Sequence, residues 1–154
     1  MADKERYVSG PQCVVSLPVA SATVIQKGDF IALSSGKAIP TSDLSDVGDA
    51  AANREAAADV FVGIALTASD SGETDDIQVD ISNEAVFELD LQTADNLSFG
   101  DLVEIYSAGS TTSRNSTVAG STSNVAMCVE DHASASGTSF KAVLTSQLIR
   151  APQT

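Results

Sequence analysis

Tryptophan is absent from this chain, histidine occurs once, cysteine twice, and the eight lysines and arginines face twenty-one acidic residues. Each scarcity excludes something. Seven aromatic side chains, five Phe and two Tyr in 154 residues, are too few to build a core, which must come mostly from Val, Ile, Leu and Ala and so favours β-rich packing. A formal charge of −13, with the basic residues scattered, repels nucleic acid, because phosphate binding needs clustered cations. Cys13 and Cys128 stand in the apolar runs "CVVSL" and "VAMCV" without C-x-x-C or metal-ligand spacing, and both are expected as buried thiols. No stretch approaches the ~18 apolar residues of a membrane span, and "MADKERYVSG" has no apolar signal-peptide region. A cytoplasmic origin is expected, with no membrane partner.

What is present is a layout written twice. "QKGDFIALSSGKAIP" joins a turn, a β-branched and aromatic run, a second turn and a short apolar run. "SFGDLVEIYSAGSTTS" repeats that order seventy-two residues later. Gly28-Asp29 and Gly100-Asp101 are the expected turns before strands, glycine tolerating a left-handed conformation. Likewise "NVAMCVEDHASASGTSFKAVLTSQLI" can be laid beside "VFVGIALTASDSGETDDIQVDIS": apolar run, acidic turn, alternating strand. The expected fold is all-β, a small barrel or barrel-like sandwich of two pseudo-repeated half-units, about 13–94 and 95–150, with one short helix in a loop. A tail, 151–154, follows.

Within that frame, strands are expected at 13–17, 22–25, 30–33 and 37–39, the last two joined by a hairpin at Ser34-Ser35-Gly36. "DAAANREAAAD" reads as a short, mostly exposed helix in a loop over 41–59. Residues 60–66 read as a fully buried strand. The alternating runs 77–81 and 85–91 are expected to form a hairpin through Ser82-Asn83-Glu84. Strand 102–106 leads into a Ser/Thr/Gly-rich loop over 107–123. Residues 1–12 look like a flexible arm, too polar to fold alone, whose Tyr7, Val8 and Pro11 are the candidate partner contacts. Such an arm can add an edge strand to a partner's sheet, and its removal is expected to leave folding intact.

Catalytic constellations are scarce. His132 sits in the turn "EDHASASG", where nearby Asp and Ser are expected by composition, so it reads as an exposed loop residue. Asp43, Asp46 and Asp49, and Asp70, Glu73, Asp75 and Asp76, do not follow the EF-hand pattern and read as solvated turn acids. "SSGKA" lacks the rest of a phosphate-binding loop. "KGD" at 27–29 is more simply a turn than an adhesion tripeptide, and the sequons at Asn96 and Asn115 mean little without a signal peptide. No catalytic residue, cofactor or metal is expected.

The order "VIQKGDFIALSSGKAIP", "FVGIALTASDSGETDDIQVDI", "EAVFELDL", "FGDLVEIY", "VAMCVEDHASASGTSFKAVL", over about 22–149, resembles the capsid decoration, or cement, proteins of tailed bacteriophages. The resemblance implies a β-rich virion protein, a homotrimer, that binds the major capsid protein on the outside of the head and stabilises it. It implies no enzyme activity, and it does not account for 41–59. Two other classes are a trimeric phage fibre or head-fibre knob that binds a receptor, and a small ligand-binding β-barrel.

Overall fold

The computed structural model describes residues 6–131 and 138–145. Among them, eleven strands run in chain order: β1 (Tyr7–Ser9), β2 (Val14–Leu17), β3 (Phe30–Ser34), β4 (Lys37–Pro40), β5 (Phe61–Ala65), β6 (Ile77–Asp80), β7 (Val86–Leu91), β8 (Leu102–Ser107), β9 (Thr112–Ala119), β10 (Asn124–Cys128) and β11 (Ser139–Leu144). One α-helix, α1 (Ala50–Val60), lies between β4 and β5. The protein is all-β with one short helix, in two sheets.

The two sheets are the two copies of one design. The first has the order β2-β6-β5-β3-β4, and the second β7-β11-β10-β8-β9 with β1 added outside β7. Adding five to each strand number of the first order gives the second. Registers repeat as well: Phe30 faces Ile64 and Ile31 faces Gly63, and offsets of 72 and 63 residues turn these into Leu102 facing Met127 and Val103 facing Ala126. Even the irregularity that follows each of these pairs recurs. Ala32–Ile39 and Leu33–Ala38 become Glu104–Val118 and Ile105–Thr117. Each sheet also closes on itself. In the second, β7 pairs in parallel with β9 through Asp90–Ser116 and Leu91–Thr117. In the first, the Ala38 N–H donates to the Pro18 carbonyl at 2.8 Å, at the equivalent position.

Each barrel is filled by its own side chains. Ile31, Val62, Ala65, Ile77 and Val79 fill the first, and Val103, Val125, Cys128, Phe140 and Ala142 occupy the same positions in the second. The second core extends across the joint to Phe30, Phe61 and Ile64, which lie on the other face of the first sheet, and to Ala57 and Ala58 of the helix. The joint is therefore a continuation of the second core, and burial there stabilises the contact at about 25 cal/mol per Å2 of apolar surface.

Several expectations are corrected by these pairings. The runs 77–81 and 85–91 do not form a hairpin: β6 and β7 belong to different sheets. Between them the Ser82 hydroxyl accepts from the Glu84 and Ala85 N–H groups and donates to the Pro11 carbonyl, turning the chain from one barrel into the other. The boundary between the units falls at this crossing, not at 94. Residues 107–123, expected as a loop, contain the longest described strand, β9, because closing the barrel gives its backbone partners on both β8 and β7. Residues 22–25 form no strand beyond an isolated Ile25–Ser69 bridge. Helix α1 is not simply exposed: Asn53, Ala57 and Ala58 are buried, small side chains letting it approach the sheet closely. Cys128 is buried as expected, but Cys13 is exposed, because β2 is an edge strand. No helix among the described residues is long and apolar enough to cross a membrane.

Candidate functional site

The two Gly-Asp turns are built alike. Gly28 and Gly100 have φ of 90° and 96°, a region that favours glycine. The carboxylate of Asp29 accepts from the Gln26 N–H at 2.7 Å, and that of Asp101 from the Ser98 N–H at 2.7 Å. The Gly28 and Gly100 N–H groups each donate at 2.8 Å, to the Ala65 and Cys128 carbonyls. Their surroundings differ. The first turn is buried at the joint, whereas the second is exposed and carries Phe99 at 67% exposure.

Among the described residues, Arg114, Arg54 and Arg6 tie elements of the two units together. Arg114 of β9 grips Asp29 with two nitrogens, Nε at 3.0 Å from Oδ1 and Nη2 on Oδ2, and also donates to the Val24 carbonyl. The bond to Asp29 raises the Arg114 pKa above its ordinary value. Arg54 of α1 pairs at 2.8 Å with Glu104 of β8, whose other oxygen accepts from the Thr122 and Ser123 N–H groups. The third, Arg6, is 4% exposed. Its Nε donates to the Gly28 carbonyl at 2.6 Å, Nη1 to Glu88 at 3.2 Å and Nη2 to Asn115 at 2.8 Å. Its guanidinium lies 5.4 Å from the centre of the Phe30 ring and 3.9 Å from the Asp90 carboxylate. Burial lowers its pKa, with Asp90, Asp29 and Glu88 opposing that shift.

For residues 6–12 this arrangement overturns the reading of 1–12 as a flexible arm; residues 1–5 lie outside the described residues. Arg6 reaches carbonyls of both barrels, so the strand that follows it is fixed along β7, with Tyr7 opposite Phe87. Composition had made the segment look unable to fold, but its burial depends on acceptors 22 to 109 residues away. Of the candidate partner contacts, Tyr7 and Val8 are 43% and 42% exposed, the Tyr7 hydroxyl donates to Gly10, and the exposed Pro11 lies past the strand. They form an ordered ledge on the edge of the second sheet. Arg6, which holds it there, was missed by sequence reasoning, and a lone arginine in a polar segment gives no signal of burial.

The acidic runs have local work. Asp49 caps α1 by accepting from the Ala52 N–H at 2.9 Å. Asp46 accepts from Asn53 and from the Gly48 N–H, and these bonds hold its carboxyl below the usual range. Glu73 accepts from the Asp70 N–H. No three His, Cys, Asp or Glu side chains converge as metal ligands among the described residues. His132 and the tail 151–154 lie outside the described residues.

No family model matches the chain, and no curated protein matches it. Its chemistry therefore rests on the joint, the ledge at Tyr7 and Val8, and the two barrels.

Proposed function

We propose that the protein is a structural, non-enzymatic virion component that binds the major capsid protein on the outside of a phage head and stabilises the mature shell, as a homotrimer. The observation that carries this reading is the ledge. An exposed aromatic and an exposed aliphatic side chain sit on a sheet edge that is already ordered, because Arg6 anchors the strand from below. Ordering a free segment costs about 1–2 kcal/mol per residue, and a pre-ordered ledge avoids that cost on binding. The resemblance to decoration proteins supplies the partner class. The charge of −13 agrees with it, keeping the exterior from adhering to nucleic acid. Both barrel interiors are filled by aliphatic and Phe side chains, which favours this reading over a ligand-binding barrel.

The test is to mix the purified protein with mature heads that lack it and to image them by electron cryo-microscopy. Stoichiometric density on the outer shell is expected, lost with the Tyr7→Ala, Val8→Asp double variant. A bare shell at saturating protein would overturn the reading. Sedimentation equilibrium at micromolar concentration is expected to give a trimer, stable to moderate salt.

A further inference from the structure

In the second barrel the outer edge of β7 is occupied where it begins. The Glu88 N–H donates to the Arg6 carbonyl at 2.7 Å, and Tyr7 stands opposite Phe87. The 72-residue offset places Val14, Val15 and Ser16 of β2 where Val86, Phe87 and Glu88 stand. That offset holds for β2 itself: Val15 faces Val79 and Leu17 faces Ile77, as Phe87 faces Ala142 and Leu89 faces Phe140. Yet β2 ends its sheet, and no described strand lies along residues 14–16. Val14 is 45% exposed and Ser16 is exposed.

Backbone directions follow from the same equivalence. Along β7 the Glu88 N–H points to β1, while the Leu91 N–H points the other way, to Thr138. Strand groups alternate, so the N–H and C=O of Val14 and Ser16 point outward, and those of Val15 and Leu17 point to β6. Pro18 fits this assignment: its ring lacks only an outward N–H, and its carbonyl accepts from Ala38 at the barrel closure.

We propose that this edge of β2 is an acceptor site for one extended segment of a different polypeptide, which adds antiparallel along residues 14–16 and carries an arginine or lysine. The seated strand in the other barrel shows the chemistry. Its arginine donates to the Glu88 and Asn115 carbonyls, and the offsets of 72 and 79 residues put the Ser16 and Gly36 carbonyls at those places. In that strand the guanidinium also reaches toward Asp90, the counterpart of Pro18, so an incoming cation lies at the Leu17 end of β2. Asp75 and Asp76 immediately precede Ile77, the partner of Leu17, and they place negative charge at that end. Lys37, beside Gly36, weakens this field but lies in the closing strand rather than along the edge. A second copy of the chain is not the occupant, because its own cation-bearing edge strand is already seated, with Arg6 buried against three carbonyls of its own barrels. Strand addition takes affinity from main-chain hydrogen bonds and selectivity from alternate side chains. The inference stands without the virion reading, since strand chemistry alone defines the partner.

The experiment uses the isotope-labelled full chain and, as probe, a synthetic peptide with the sequence of residues 3–10, DKERYVSG. Amide shift changes are expected over 14–17 and 36–38. A peptide with glutamate in place of its arginine is expected to bind about tenfold or more weakly. Ser16→Pro removes an outward N–H and is expected to abolish binding, whereas Ser16→Ala retains it. Two peptides N-methylated at alternate sets of amides test the same geometry on unaltered protein: one is expected to bind and the other not. The proposal is overturned by the absence of shifts at millimolar peptide, by shifts confined to 86–88, by equal binding of the two methylated peptides, or by self-association that Ser16→Pro removes.

Discussion

Arg6 is the residue on which most of the joint converges. Its side chain satisfies three carbonyls in two barrels, and alanine leaves them without that donor in a buried place. Unsatisfied buried groups cost about 1–3 kcal/mol each, and relaxation recovers part, so Arg6→Ala is expected to destabilise by about 3–5 kcal/mol in urea unfolding. Arg6→Lys keeps the charge but not the fork, and is expected to recover less than half of the loss. A truncation of residues 1–12 is expected to behave like Arg6→Ala, contrary to the removable arm that composition suggests. The cysteines offer a check on burial. Burial raises the Cys128 pKa, whereas Cys13 is exposed. A thiol reagent at pH 8 is expected to modify Cys13 at once and Cys128 only when urea is added. Two equally slow thiols would restore the expectation of a buried pair.

At the scale of elements, the two barrels differ where their strands approach most closely. Gly63 of β5 occupies the place of Ala126 in β10, yet a Cβ on Gly63 would run into the Asp80 carbonyl oxygen. A backbone atom cannot step aside as a flexible side chain does, so Gly63→Ala is expected to cost about 2–3 kcal/mol. Chemical denaturation checks it, with Gly72→Ala as a strained but uncrowded comparison. Helix α1 holds little large apolar surface, so its ends matter. Asp49→Ala removes the cap on Ala52 and is expected to cost about 1 kcal/mol, read as a lower melting temperature. The insertion 41–59, unexplained by the resemblance, acts as a clamp on the second barrel. The Asn53 amide donates to the Gly109 carbonyl, the Thr41 hydroxyl to Ser113 at 2.6 Å, and Arg54 pairs with Glu104.

For the whole molecule, the joint decides how the barrels unfold. Phe30, Phe61 and Ile64 belong to one continuous core with the second barrel, so neither unit can open without exposing them. A single calorimetric transition is expected, with van't Hoff and calorimetric enthalpies equal under conditions where association is not populated. Two separated transitions would mean that the joint couples the barrels weakly. Arg114 should sharpen this coupling, because it holds the buried turn at Asp29 from the opposite barrel. The exterior works differently: with Arg6, Arg54 and Arg114 engaged in contacts between elements, much of the acidic charge faces solvent, and association through apolar contacts is expected to tolerate salt.

Legible in the residues alone were the strands of the alternating and apolar runs, both Gly-Asp turns, the hairpin at Ser35-Gly36 and the 72-residue echo, because these depend on alternation of side chains and on residues that tolerate positive φ. The alanine run also placed a short helix within 41–59, although Asp49, read there as a solvated turn acid, is its cap. Which strands pair is set by contacts between distant parts of the chain. The runs of β6 and β7 carry the same period of two, and nothing local says that one belongs to each barrel. A Ser/Thr segment became β9 because two neighbours offered backbone partners, and a polar N-terminal strand became fixed because carbonyls from distant turns surround its arginine. Local conformational preferences are written residue by residue, whereas pairing and burial depend on groups brought together only by the closed barrels.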